Sequence, residues 1–332
     1  MKKLYTLSLL TLTCLSAFAQ ASDPFISAAG TSLNAAGWAT HSGTTPGQIV
    51  TSAGSLSYAG LTSQGNQTSI VAGNTEDINL ASAAPLTGVA YYSALINLPN
   101  VTGQAANTTT GNYFLMFGST AGANVTVFSA RLYIKAGTAT DTFNLGILNG
   151  SGGTAAPTFS TTDYAINTTY FVVAKFDFTS NTASLWVNPT IGSAEGTPTI
   201  TNATGTAAAP AQIASIAIRQ AGTATAGSGN ISIDEIRLGG SWAYVTSATL
   251  KINQNTISGL KMYPNPVSGG TLFIETAANT EKTITVYDVL GKLVLNTTTA
   301  DSSVNVSALH TGVYIVNITE EGKTASRKLV IK

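Results

Sequence analysis

The carboxylates and histidines of this 332-residue chain bound the chemistry it could perform. Glycosidic-bond hydrolysis uses two carboxylates about 5–10 Å apart on one face. On a single strand that means acid-x-acid, because residues two apart share a face at about 6.7 Å. Residues 21–245 hold no such spacing; their two acidic doublets, Glu76-Asp77 and Asp234-Glu235, are adjacent. Adjacent side chains on a strand point to opposite faces, so Asp234-Glu235 is not expected to act as a catalytic pair. Arg237 shares a face with Glu235 and is its expected ion-pair partner. A pair drawn from two different strands stays open. A serine hydrolase needs a histidine base, and beyond residue 20 the chain offers His41 and His310, with no Gly-x-Ser-x-Gly. His41, among Ser, Thr and Gly, reads as a solvated loop residue. No Cys/His cluster suggests zinc, and Gly150-Ser151-Gly152-Gly153 lacks the Gly-Lys-Ser/Thr of a phosphate loop. No catalytic residue is assigned.

Binding is the better reading. In Phe171–Phe178 the residues Val172, Ala174, Phe176 and Phe178 share one face, and Phe171, Val173, Lys175 and Asp177 the other. The next run places Leu185 and Val187 on one face and Ser184, Trp186 and Asn188 on the other. The first face is wholly apolar and belongs in a core. The second mixes polar and aromatic groups, as on a half-exposed sheet surface. An indole on such a face could stack on a sugar ring while an amide and a carboxylate take its hydroxyls. Trp186, Asn188, Lys175 and Asp177 are the candidate ligand-binding residues. The competing expectations are that Trp186 packs under a loop and that Asp177 caps a turn. Trp38 and Trp242 are expected to be packing residues.

The elements that must position these residues are strands. Charged residues make up 9% of the chain, and Gly, Thr, Ser, Ala and Asn dominate, an all-β composition. Between turn-forming clusters, strands are expected at 89–98, 113–117, 127–135, 142–148, 169–178, 183–188, 213–220 and 231–238. Asn149-Gly150 is a favoured tight-turn pair. No segment shows a helical period. The 15 basic and 15 acidic residues divide unevenly, leaving residues 21–245 with a net charge of minus four. No basic stripe suggests nucleic-acid binding.

Met1-Lys2-Lys3, the apolar run 4–18 and Ala17-Phe18-Ala19 form the pattern of a secretory signal peptide, with cleavage expected between Ala19 and Gln20. Cys14, the one cysteine, falls inside it, so no disulfide is expected. No later segment is long and apolar enough for a membrane span. At the other end stand Tyr263-Pro264-Asn265-Pro266, then Val286-Tyr287-Asp288-Val289-Leu290-Gly291-Lys292. Leu309-His310-Thr311-Gly312-Val313-Tyr314-Ile315-Val316 and Arg327-Lys328-Leu329-Val330-Ile331-Lys332 follow. In order and spacing these motifs resemble the type A C-terminal sorting domain of the type IX secretion system of Bacteroidetes. The matching positions are Tyr263, Pro264, Asn265, Pro266, Gly291, Gly312, Tyr314 and Lys328. The resemblance implies the secretion machinery as a partner, passage through the periplasm, and a body released or held on the outer face of the outer membrane.

A softer resemblance covers the middle. Lys175-Phe176-Asp177-Phe178, Leu185-Trp186-Val187-Asn188-Pro189 and Ile233-Asp234-Glu235-Ile236-Arg237-Leu238-Gly239, with Trp242 behind, look like concanavalin-A-like or laminin-G-like jelly rolls. Some of those bind calcium through oxygen ligands, though the sparse acids here spell no complete site; no other cofactor is expected. The glycanases among them carry acid-x-acid, which is missing here. The organisation expected is a signal peptide (1–19), a large jelly roll (20–245), a linker (246–259) and a small β-sandwich (260–332). The functional expectation is a secreted or surface, non-catalytic protein that binds extracellular polysaccharide or surface glycan. Its rivals are a polysaccharide-degrading hydrolase and a structural surface or matrix protein.

Overall fold

The structure, a computed structural model, describes residues 20–43, 45–248, 257, 259–289, 291–320 and 323–332. The expected signal peptide with Cys14 and Ala19, most of the expected linker, and Leu290 of the Val286–Lys292 motif lie outside them. The chain divides into two units, one up to residue 250 and one from 251 onward.

The first unit, the body, begins with β1 (Gln20–Asp23), β2 (Ala39–Ser42), β3 (Thr51–Ser52), β4 (Gln67–Ile70), β5 (Asp77–Leu86), β6 (Val89–Asn97), β7 (Asn112–Gly118) and β8 (Phe128–Ala136). It continues through β9 (Thr142–Leu148), β10 (Thr158–Phe159), β11 (Tyr164–Ala165), β12 (Thr169–Asp177), β13 (Thr182–Val187), β14 (Ile200–Asn202), β15 (Ile213–Arg219), β16 (Ile231–Gly239) and one helical turn, α1 (Trp242–Val245). Two antiparallel sheets result. The front sheet runs β14-β13-β12-β6-β16-β4-β3, with β1 also on β16; the back sheet runs β10-β9-β8-β7-β15-β5-β2, with β11 on β9. This interleaving of distant strands is a jelly-roll β-sandwich.

Period-two alternation builds the core between the sheets. Val172, Ala174 and Phe176 of β12 and Leu185 of β13 meet Leu132 and Ile134 of β8 and Ile216 and Ile218 of β15. Tyr92 of β6 crosses the gap: its ring lies edge-on to Phe117 at 4.8 Å, and its hydroxyl donates to the Ala130 carbonyl at 2.9 Å. The eight strands expected from sequence all form, within a residue or two. β5 was not expected, because Ala and Ser dominate it; its Pro85 is tolerated because β2 pairs only the opposite end, leaving Pro85 on an edge. Asn149-Gly150 makes no two-residue hairpin. Asn149 is instead buried, its side-chain amide donating to the carbonyls of Asn181 (2.7 Å) and Gly205 (3.0 Å). Thr246 to Ala248, assigned to the linker by composition, belong to the body: Gly192 N donates to Thr246 O and Thr62 N to Ala248 O, both at 2.8 Å.

The second unit holds β17 (Lys261–Tyr263), β18 (Thr271–Glu275), β19 (Lys282–Asp288), β20 (Leu293–Thr299), β21 (Ser303–Asn305), β22 (Gly312–Glu320) and β23 (Lys323–Ile331). They form a three-stranded sheet, β17-β18-β21, and a four-stranded one, β20-β19-β22-β23. Each sequence motif has a structural role. Tyr263 stacks on Phe273 at 5.5 Å. The Tyr263–Pro264 and Asn265–Pro266 bonds are cis. Asn265 clamps the last strand, its amide donating to Lys328 O at 2.7 Å while its Oδ1 accepts from Val330 N at 2.9 Å. Gly291, at φ +82°, closes a turn by donating to Asp288 O at 3.0 Å. Gly312 opens β22, and Tyr314 OH donates to His310 O at 2.8 Å.

Candidate functional site

The sequence-predicted residues all fall on the outer face of the front sheet, but that face is covered. Tyr91, Leu95, Phe171, Val173 and Trp186 form a second apolar cluster there with Leu61, Trp242 and Val245. The apolar side chains on this face require a lid, and loops 53–66 and 189–197 with α1 provide it. Trp186 is 4% exposed and meets Trp242 edge-on at 4.9 Å. Its indole N–H donates to Gly196 O at 2.8 Å, and that of Trp242 to Ser193 O at 2.8 Å. Glu195 accepts from Tyr91 OH at 2.7 Å and pairs with Lys175 at 3.1 Å. Asp177 caps the β12–β13 turn through the amides of Thr179 and Ser180 at 2.9 and 3.0 Å. Asn188, at φ +57°, exchanges two hydrogen bonds with Phe171, its amide donating to the carbonyl and its Oδ1 accepting from the amide. A cleft of about 320 Å³ opens at the rim, bringing Trp186, Asn188, Ser193, Thr199 and Trp242 together; Lys175 and Asp177 do not line it. The expectation of a half-exposed mixed face therefore gives way to a lidded one, and Trp186 has the packing role. Trp186→Ala is expected to lower body stability by about 3–5 kcal/mol, as for a large core truncation, read as a drop in the urea midpoint by circular dichroism.

The Asp234-Glu235 doublet also departs from alternation. β16 slips one residue against β6 between Asp234 and Arg237, and Glu235 sits at φ +51°. This bulge turns both carboxylates outward, towards one loop. Asp234 Oδ2 accepts from Ser55 Oγ (2.6 Å) and Leu56 N (2.8 Å), while Glu235 Oε1 accepts from Gln64 N (2.7 Å). Glu235 pairs with Arg237 at 3.3 Å as expected, both fully buried. Burial pushes Asp234 up to about 7 and raises Glu235 above the usual carboxylate range. Burial likewise lifts Asp77 to about 6. In the window from about pH 4 to about pH 7 these carboxyls retain protons that the unfolded chain releases, which lowers stability as pH rises; His41, lowered by burial to about 4, opposes them but is one group against three. The unfolding midpoint should decline across that window, with a shallower slope in Asp234→Asn.

A second side-chain array lies on the outer face of the back sheet, half-buried at its ends and buried at Tyr133, and sequence reasoning missed it. Phe159, Gly146, Tyr133 and Tyr113 are in register across β10, β9, β8 and β7. Three strand spacings of about 4.8 Å make this row about 14 Å long. Gly146 leaves room for the Phe159 ring to lean over β9, since a Cβ there would lie 2.8 Å from it. Cations flank the row. Arg219 and Arg131 lie 4.3 and 5.2 Å from the Tyr113 centroid, and Lys135 Nζ lies 4.4 Å from that of Phe159. Tyr113 and Tyr133 are 5.4 Å apart. Burial pushes the Tyr133 phenol up, against the pull of Arg131. Lys135 also donates to Asn107 O at 2.7 Å. The local signal was present: Arg131-x-Tyr133-x-Lys135 puts two cations and an aromatic on one face of one strand. His41 lies in β2 of the same sheet rather than in a solvated loop. It is half-buried, accepts from Asn79 at 3.2 Å, and is lowered by burial to about 4.

Residues 261–332 match the family described as "Secretion system C-terminal sorting domain". That unit is a type IX secretion sorting domain. The sorting domain thus comprises the two small sheets with the Asn265 clamp and the Gly291 turn, and it indicates export to the cell surface or the medium. No curated protein matches the chain. Similar solved structures include a sialidase at 13% identity, covering 68% of this chain and 19% of that one, TM-score 0.36. An endo-beta-1,4-glucuronan lyase from the fungus Trichoderma reesei is 9% identical over 63% of this chain and 89% of that one, TM-score 0.35. The carbohydrate recognition domain of Emp47p is 8% identical over 62% and 89%, TM-score 0.35. The chain spans about a fifth of the sialidase's length. The jelly-roll assignment rests on the strand order described above.

Proposed function

We propose that the protein is an exported, non-catalytic glycan-binding protein, acting in the medium or on the outer face of the outer membrane. The observation that carries this reading is the in-register row of Phe159, Tyr133 and Tyr113 on the outer face of the back sheet, its two end rings half-buried and bordered by Arg131, Lys135 and Arg219. Aromatic rings pack the apolar faces of sugars, and fixed donors beside them take the polar substituents. Each cation is held over a ring, which makes the array a prepared surface rather than a set of free side chains. The sorting domain supports the location, since a protein displayed or released outside the cell meets polysaccharide there. Many copies on one surface would make a shallow site sufficient, because multivalency raises apparent affinity without new contacts. The test is a glycan array probed with the chain from Gln20 to Lys332, alongside reducing-sugar release from the same polysaccharides. Binding without release is expected. Release would establish the hydrolase reading instead, and neither binding nor release would favour a structural surface protein.

A further inference from the structure

We infer that the back-sheet face takes an anionic polysaccharide, one bearing carboxylate or sulfate groups along its length; this rests on the glycan-binding reading above. The basic residues of 21–245 are Arg131, Lys135, Lys175, Arg219 and Arg237. Lys175 and Arg237 belong to the lidded front face and are paired with Glu195 and Glu235. The remaining three cations all stand on the back-sheet face. Among the described residues none of them makes an ion pair within 4.0 Å. Rings and backbone carbonyls hold them: Arg219 and Arg131 over Tyr113, Lys135 over Phe159, with Lys135 also donating to Asn107 O and Arg219 to Tyr113 O. A cation–π contact orients a charge without neutralising it.

The guanidinium of Arg131 goes further, because its Nε is shielded from solvent and has no hydrogen-bond partner. Tyr133 lies against the same guanidinium, so an arriving acid group would meet its terminal nitrogens and not the shielded Nε. The carboxylates nearest the face are already engaged. Asp77, opposite Arg219 in the register, accepts from Gln220 N at 3.0 Å; burial raises it, and the Arg219 charge beside it pulls it down. Asp163 accepts from Asn144 at 2.7 Å and from Thr138 N at 3.0 Å. The face thus sets three cations against Asp77 and Asp163, within residues 21–245 of net charge minus four. The surrounding negative charge disfavours a dense polyphosphate, whose binding scales with the number of cations available. A glycan with one acid group per sugar or two suits three cations spread along a row of rings. The rings take the sugar faces, and the guanidinium groups take the acid groups in bidentate fashion.

The test measures binding of the chain from Gln20 to Lys332 to polygalacturonate, dextran sulfate and neutral dextran at two salt concentrations. Retention of at least one acidic polymer over dextran, weakening with salt, is expected. The two acidic arms distinguish carboxylate from sulfate recognition. Arg131→Gln and Lys135→Gln should each weaken binding about tenfold or more, as for loss of a charged hydrogen bond. Lys175→Gln, on the lidded sheet, should leave binding unchanged. Unfolding midpoints separate lost binding from lost fold, and Lys135, half-buried on the sheet face, is the variant least able to disturb the core. Equal binding of dextran and the acidic polymers overturns the inference while leaving glycan binding in place. Binding to no glycan overturns both. An equal loss in Lys175→Gln moves the site to the front-sheet face and overturns this assignment, as does equal affinity for single-stranded nucleic acid.

Discussion

Arg237→Ala is expected to destabilise the body by about 3–5 kcal/mol, the effect of stripping one partner from a buried ion pair. Arg237 and Glu235 are both sealed from solvent. The guanidinium also donates to the backbone carbonyl and, at 3.2 Å, to the hydroxyl of Ser247. Truncation leaves the buried Glu235 carboxylate its bond from Gln64 N without its cation and removes the Arg237 contacts to Ser247. Desolvation opposes both charges, raising Glu235 and lowering Arg237 from their ordinary values. Their mutual attraction works against that desolvation. A double replacement with neutral groups of similar volume, Glu235→Gln with Arg237→Met, should recover much of the loss. Urea unfolding followed by tryptophan fluorescence measures this cleanly, because all three tryptophans, Trp38, Trp186 and Trp242, lie in the body. A loss below about 1 kcal/mol for Arg237→Ala would place the pair in the solvated class.

Removal of the sorting domain is expected to change location rather than fold. A chain ending at Ala248 keeps the front-sheet lid, including the Thr62–Ala248 hydrogen bond and the Ser247 contacts to Arg237. It should fold, show the same fluorescence midpoint as the full chain, and accumulate in the periplasm. Fractionation with an antibody to the body measures the outcome. Arrival in the medium at the level of the full chain would show that residues 261–332 do not direct its export.

Strand positions were legible where branched and aromatic residues cluster, as in Thr169–Asp177 and Ile231–Gly239, because those side chains favour a pleated, half-buried surface. β5 was not, since its Ala and Ser become strand only through pairing with β15 and β2. The bulge at Glu235 was equally hidden. Nothing local announces a glutamate at positive φ, and that one residue turned an opposite-face doublet into a same-face one. The lid over Trp186 is built from Ser/Gly-rich loops whose composition reads as solvent-exposed. Half of the back-sheet array was readable as Arg131-x-Tyr133-x-Lys135. The other half, Tyr113, Phe159 and Arg219, comes from strands whose neighbours are fixed by topology, which no window of sequence contains.

The pairing of β1 with β16 has a kinetic meaning. Gln20 lies opposite Gly239, and Asp23 opposite Ile236, so the first stretch of the body has no place to dock until the last has been delivered. For a polypeptide threaded across a membrane amino end first, closure must wait for nearly the whole body, and contacts of such long loop length form slowly. Until then the aromatic strands remain open to wrong partners, so the time taken to deliver the last strand sets how long this topology stays exposed to misfolding.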